Sequence, residues 1–351
     1  ILVCLCALAR TAEVYPQCYT LKGIQKESHP RAAGGFSDVF RGTYEKQTLC
    51  IKVIRRDQQP NQYCDLTVRE LLLWAHLRHQ NILPFYGVYF LDEDKRQMCL
   101  VSPWMQNGNL EGYLNKHPEV PRMPLVLDVI EGVLYLHRSH IVHSDLKSVN
   151  VLVSAEGRAM IGDFGISRVA TTNQTHTDSP NGTARWQAPE LLVDSVERNV
   201  RGTMQSDIWS LGCLCYKILS RRDPFYQYSS IGRVYLALNH GDTPIRPETG
   251  ADHDSISDTM WGLLGKCWIH EPKDRPSCVV VRDFVVRLKL EDDRPKAPGL
   301  SNNNYAFRGA MEARSGVRLD YDQIERILHR ASNFLHHSIY WLIPDGLLRS
   351  N

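Results

Sequence analysis

The stretch from His143 to Gly165 constrains this chain more than any other. It reads His143-Ser144-Asp145-Leu146-Lys147-Ser148-Val149-Asn150, then Val151-Leu152-Val153, then Ile161-Gly162-Asp163-Phe164-Gly165. Asp145, Asn150 and Asp163 lie 5 and 13 residues apart, on loops that bracket a short apolar strand pair. Oxygen ligands from Asn and Asp suit a hard cation such as Mg²⁺, which keeps several waters and takes phosphate oxygens as further ligands. Asp145 is then left over as a carboxylate able to accept a hydroxyl proton.

Composition removes several other classes. Of the 351 residues, 43% are hydrophobic and 23% charged, an ordinary globular balance. Lys plus Arg total 41 and Asp plus Glu 39, a net charge of +2, so nothing in the whole-molecule charge calls for nucleic acid or an anionic membrane as partner. No apolar run reaches the roughly 18 residues that cross a bilayer. The 10 cysteines contain no C-x-x-C pair, which argues against a zinc ribbon and favours reduced thiols in an intracellular, cytoplasmic protein. The apolar run Ile1 to Ala9 lacks a preceding basic region and reads as an amphipathic helix rather than a signal. The chain opens without Met, as a fragment would.

Along the chain, residues 1–30 read as an extension closed by His29-Pro30. Residues 34–54 read as strand material after a turn at Gly34-Gly35, residues 65–79 as a helix, and 82–90 and 97–102 as strands. After Asn107-Gly108 the pattern turns helical, with Leu125, Val129, Val133 and Leu136 on one face. Residues 291–300 read as a linker and 321–340 as an amphipathic helix that docks on the preceding domain. Lys52 sits inside the apolar run Leu49-Cys50-Ile51-Lys52-Val53-Ile54, and alone reads as a solvated strand residue. His137, His140 and His143 recur every third residue, but read as core and helix-end residues before a metal site.

These residues carry a resemblance. Gly34-x-x-x-x-Val39, Lys52, Glu70, His143-x-Asp145, Asn150, Asp163-Phe164-Gly165, Ala188-Pro189-Glu190, Asp207-x-Trp209-Ser210-x-Gly212 and Arg275 occur in the order seen in eukaryotic protein kinases, and the match covers roughly residues 31–290. The resemblance implies an α+β bilobal fold: a small antiparallel-sheet lobe with one helix (31–104), a larger mainly helical lobe (105–290), and a linker and helical tail over 291–351. Neither a G-x-G-x-x-G opening a helix nor a G-x-x-x-x-G-K-[ST] is present, which removes dehydrogenase and P-loop readings.

What the resemblance implies about chemistry can be stated residue by residue. ATP would be bound by Gly34, Gly35, Phe36, Val39, Cys50, Lys52, Ser102, Pro103, Trp104, Met105 and Leu152, with Ser102 as the gatekeeper and Pro103 to Met105 as the hinge. Lys52 would contact the phosphates and pair with Glu70. Asn150 and Asp163 would hold Mg²⁺. Asp145 would orient the substrate hydroxyl, and Lys147 would neutralise the transferred phosphoryl group. Lys147 and the substrate-facing Thr183 look Ser/Thr-like, so the implied activity is ATP- and Mg²⁺-dependent transfer to protein Ser/Thr hydroxyls in intracellular signalling. The other class of reading is a catalytically silent scaffold that binds partners and nucleotide. Trp186 and Cys267-Trp268 resemble the tyrosine-kinase-like group. Gly34-Gly35-Phe36-Ser37-Asp38-Val39 and the stretch Val101 to Leu110 are similar to kinases abundant in mushroom-forming fungi.

Four positions depart from the family pattern. Ala32 and Ser37 replace the outer glycines of the phosphate loop, Cys50 replaces a usual Ala, and Ser144 replaces the Arg that receives an activation-loop phosphate. Without that Arg, a phosphate–Arg switch loses one main partner. Alanine at Thr171, Thr172, Thr175, Thr177 and Ser179 together is therefore expected to leave phosphoryl transfer near the wild-type rate; loss of transfer in a radiolabel assay would contradict this.

Overall fold

The computed structural model of the protein describes residues 19–33, 37–54, 71–91, 97–164, 168–169, 184–192, 201–248 and 255–295. Strands β1 (Gln25–Lys26), β2 (Ala32–Ala33), β3 (Ser37–Tyr44), β4 (Gln47–Ile54), β5 (Gly87–Phe90) and β6 (Met98–Pro103) form one antiparallel sheet, in the order β1-β3-β4-β6-β5 with β2 added to β3. A tight turn through Glu45, in the left-handed region at φ 52°, divides β3 from β4, a break that no Gly or Pro marks in the sequence.

β4 is a central strand, and its period-two alternation decides what Lys52 does. Leu49, Ile51 and Val53 turn into a small core with Leu21, Ile24, Tyr86, Cys99 and Val101. Cys50 and Lys52 alternate with them and so lie on the opposite face. The register sets Lys52 opposite Val39 on one side and Leu100 on the other, and Cys50 opposite Ser102. The solvated-strand reading of Lys52 does not hold: its side chain is only 19% exposed.

The chain before residue 31, expected as an extension, enters the small lobe from residue 19 onward. β1 pairs with β3, Leu21 N donates to Val88 O at 2.7 Å, and Leu21 and Ile24 are buried. Two-residue strands carry too little periodicity to show in sequence, and His29-Pro30 is a loop between them rather than a boundary. Of the helix expected over 65–79, the described residues 71–76 are helical.

The larger lobe holds α1 (Leu110–Lys116), α2 (Arg122–Arg138), α3 (Pro189–Leu192), α4 (Met204–Ser220), α5 (Ile231–Asn239), α6 (Asp258–Cys267) and α7 (Cys278–Val286). Asn109 caps α1 by accepting from Gly112 N at 2.9 Å. A reciprocal Thr203/Ser206 capping box opens α4. Residues 206–220 of α4 are all buried, the pattern of a helix surrounded by its own domain. The short pair β8 (Val151–Val153) with β9 (Ala159–Ile161) lies within the stretch from His143 to Gly165, and the pair β7 (Ile141–Val142) with β10 (Arg168–Val169) flanks it. Sheet lobe and helical lobe together make the bilobal protein-kinase fold.

One buried ion pair closes the helical lobe. Arg275 donates to both Glu190 carboxylate oxygens at 2.7 Å. Its remaining donors reach Ile269 O (2.7 Å), Gln205 O (3.0 Å) and His270 O (3.1 Å). The Arg275 side chain is 0% exposed, so removing it strands a carboxylate and three carbonyls away from water. Arg275→Leu is expected to cost about 3–5 kcal/mol in denaturant unfolding.

Candidate active site

Asp207, in the first turn of α4, builds the site from below. Its Oδ2 accepts from His143 N at 2.8 Å and its Oδ1 from Ser144 N at 2.9 Å. Oδ2 also meets His137 Nε2 at 3.1 Å, so His137 is committed to this carboxylate rather than to a metal. These bonds hold Ser144 in the left-handed region at φ 69°, a conformation that L residues adopt only when surrounding bonds enforce it. Ser144 Oγ is buried without a hydrogen-bond partner among the described residues, and a Cβ at Gly202 would collide with it. The site where the family pattern has Arg is thus closed over by backbone.

From that fixed turn the side chains expected to be catalytic follow. Asp145 Oδ2 takes Lys147 Nζ at 2.8 Å and Asn150 Nδ2 at 2.9 Å. Asn150 Nδ2 also donates to Asp145 O at 2.8 Å. Both partners are oxygens, so the amide nitrogen is used there and the amide oxygen is the atom left to face elsewhere. Asp145 Oδ1 is buried and has no hydrogen-bond partner among the described residues.

The second cluster spans the lobes. Lys52 Nζ from β4 pairs with Asp163 Oδ1 at 2.8 Å, across 111 residues of sequence. The Lys52 ammonium holds the Asp163 carboxyl, 46% exposed, below the usual carboxylate range, with His143 and Lys147 acting in the same direction. Lys147 therefore joins the two clusters into one charged centre. Asp163 also has a left-handed backbone, φ 61°. Behind it, Phe164 stacks in the core with Trp74 (6.0 Å) and His143 (5.4 Å), and Trp74 with Phe85 (5.3 Å). His143 Nε2 meets Gly162 O at 3.1 Å, which ties the segment carrying Asp163 to the Asp145 loop.

The donor set fits a hard cation. Asn150 and Asp163 supply oxygen, and among the described residues no group of three His, Cys, Asp or Glu forms a closed cage. Two protein oxygens suit Mg²⁺, which completes its shell with water and phosphate.

The remaining expected residues divide cleanly. Val39, Cys50, Pro103, Trp104, Met105 and Leu152 are half-buried, and Ser102 is buried. Trp104 N donates to Thr48 O at 3.2 Å, and Gly108 N to Met105 O at 3.1 Å, which closes the turn after β6. Burial pushes the Cys50 thiol up, against its hydrogen bond with Ser102 and the pull of Lys52, so it stays a protonated, packed thiol. Gly34, Gly35, Phe36, Glu70 and Thr183, with Thr171 to Ser179 and the 321–340 segment, lie outside the described residues. Sequence reading missed Asn107, whose Nδ2 donates to Ser154 O at 2.6 Å and joins the turn after β6 to the β8–β9 hairpin. The Asn107-Gly108 turn signal was its only trace.

A protein kinase domain family model matches residues 32–284, well over half of the chain, and the chain belongs to that family. It is 28% identical over 273 residues to serine/threonine-protein kinase STY17 of Arabidopsis thaliana, covering 76% of this chain and 45% of the relative. It is 30% identical over 302 residues to dual specificity protein kinase zakA of Dictyostelium discoideum, covering 80% and 36%. It is 27% identical over 255 residues to serine/threonine/tyrosine-protein kinase HT1 of Arabidopsis thaliana, covering 70% and 61%. The chain thus spans less than two thirds of each of these relatives. No helix among the described residues is long and apolar enough to cross a membrane.

Asp207 is the site's keystone by this geometry. Asp207→Ala strips acceptors from two buried backbone donors and is expected to destabilise by about 2–5 kcal/mol. Its urea midpoint should fall and turnover should fall with it; an unchanged midpoint would refute the anchoring role.

Proposed function

We propose that the chain is an ATP-dependent protein kinase that transfers the γ-phosphoryl group to serine and threonine hydroxyls. The observation that carries this reading is Asp145 Oδ1, a buried carboxylate oxygen with no hydrogen-bond partner among the described residues, held beside Lys147 and Asn150. A desolvated acceptor of this kind favours a donor from outside the protein, and a substrate hydroxyl supplies one. Asp145 Oδ1 would orient that hydroxyl and take its proton late, while Lys147 offsets charge on the transferred group. Lys52 would bind the phosphates, with Glu70 as its second partner. The half-buried Val39, Cys50 and Leu152, with Ser102 and Pro103 to Met105, would receive the adenine, and Gly34 to Phe36 would cover the phosphates.

Mg²⁺, held by Asn150 and Asp163, would supply charge neutralisation at the phosphate oxygens. The kinase unit is read as 31–290, divided near 104, with Thr183 facing the substrate. Lys147 supports a Ser/Thr preference and Trp186 a place in the tyrosine-kinase-like group; signalling is the role this activity serves. The scaffold reading is disfavoured because Lys52, Glu70, Asp145, Asn150 and Asp163 are all present in the sequence, and Lys52 pairs with Asp163 at 2.8 Å and Asn150 with Asp145 at 2.9 Å.

The test is incubation of the purified chain with labelled ATP, Mg²⁺ and a peptide library, followed by phosphoamino-acid analysis. Asp145→Asn should lower turnover about 10²–10⁴-fold. Lys52→Ala, Asp163→Asn and a chelator should each abolish transfer. Normal turnover in any of these, or phosphotyrosine as the main product, would contradict the corresponding assignment.

A further inference from the structure

The β8–β9 hairpin is the common support of the proposed nucleotide site. Asn150 immediately precedes β8, Leu152 lies within it, and Asp163 follows β9 by two residues. What fixes the hairpin therefore bears on where those side chains sit. One tether comes from the turn after β6: Asn107 Nδ2 to Ser154 O at 2.6 Å, and Val153 N to Gly108 O at 2.9 Å.

The other tether comes from chain beyond α7 and beyond the matched family domain, from residues that read as a linker. Arg294 Nη1 donates to Gly157 O at 2.7 Å, and Gly157 occupies the left-handed region at φ 75° in the hairpin turn. Arg158, next in the turn, donates to Asp292 Oδ2 at 2.6 Å, to Pro295 O at 2.9 Å and to Arg294 O at 3.2 Å. Asp292 in turn accepts from Arg294 Nε at 2.8 Å.

Behind this exchange lies Asp128 on α2, with a side chain only 7% exposed. It accepts from Ala159 N at 2.9 Å and from Arg294 Nη1 at 2.8 Å, with Arg158 Nη1 at 3.7 Å. Asp128 thus touches the first residue of β9 while depending on Arg294 for its closest counter-charge. Burial pushes the Asp128 carboxyl up despite both guanidiniums, whereas the hydrogen bonds of Arg294 hold Asp292 well below the usual range. Arg158 and Arg294 are 15% and 17% exposed, so solvent and salt screen these contacts little.

We propose that the strap 292–295, acting through Arg294 on Gly157 and Asp128, is a positioning element for nucleotide binding: it holds the hairpin turn and so sets the placement of Asn150, Leu152 and Asp163. This rests on reading the hairpin as part of the nucleotide site. Arg294 touches no reacting atom; it acts through the hairpin backbone. Removing it leaves Asp128 buried beside a more distant cation and frees the turn on its outer side.

The experiment compares Mg-ATP affinity by calorimetry in the full chain with kcat, peptide KM and melting temperature. Arg294→Ala should weaken Mg-ATP binding on the order of tenfold, the low end for groups that orient ligands from behind, with peptide KM unchanged. Arg294→Ala combined with Asp128→Asn should regain most of that affinity, because the amide oxygen can still accept from Ala159 N and carries no charge to strand. Where Arg294→Ala does not fold, Arg158→Gln removes the Asp292 contact from the turn and is read in the same way. Wild-type Mg-ATP affinity in the folded variant, even with a lower melting temperature, would make the strap a stability clasp alone and overturn the proposal. A wild-type chain that binds no Mg-ATP would overturn the functional reading itself and the positioning role with it.

Discussion

The site depends on one buried carboxylate. Asp207 gives an oxygen to each of two successive backbone donors, His143 N and Ser144 N, and so forces the chain through a left-handed residue just before Asp145. The strain at Ser144 is tolerated because the bonds that impose it are shielded from water. Without that turn Asp145 would not face Lys147 and Asn150, and the amide of Asn150 would have no reason to spend its nitrogen on the Asp145 loop. The geometry of the charged centre is thus set by a residue that touches none of the chemistry.

The second constraint is electrostatic and joins the lobes. Lys52 comes from a central strand of one lobe and Asp163 from a loop of the other, and their contact at 2.8 Å is an ion pair that bridges them. Each is a poor candidate for its position in isolation: a lysine on the covered face of a strand, and a non-glycine residue at φ 61°. Together they make sense as a pair, each offsetting the other's charge. The aromatic stack of Trp74, Phe85, Phe164 and His143 supports the same segment from the apolar side. The polar and apolar supports meet at consecutive residues, Asp163 and Phe164.

Much of this was legible in the linear sequence because the chemistry needs particular residue types at short spacings. Asp145, Lys147 and Asn150 lie within one loop, and Asp163 lies across a hairpin too short to carry it far, so local geometry nearly suffices to gather them. Asp207, Glu190 and Arg275 likewise stood among the motifs that carry the resemblance. The short pieces of strand before residue 31 were not legible, because two residues carry no period. Nor was the engagement of Asp292 and Arg294, since charged residues beside prolines look alike whether they span water or clasp a buried acid.

The sequence by itself determined which residues could do the chemistry, since a hydroxyl acceptor, a hard-cation amide and acid, and a phosphate-binding ammonium are matters of side-chain type. It also implied the fold class, through the order of motifs that resembles the protein kinases. Only the tertiary structure decided that Lys52 is covered rather than solvated, that the segment from residue 19 belongs to the small lobe, and that the chain past residue 290 grips the hairpin beneath the site. Those are questions of burial and of contacts between distant segments. Free energy there depends on what surrounds a charge, and no local pattern encodes that surrounding.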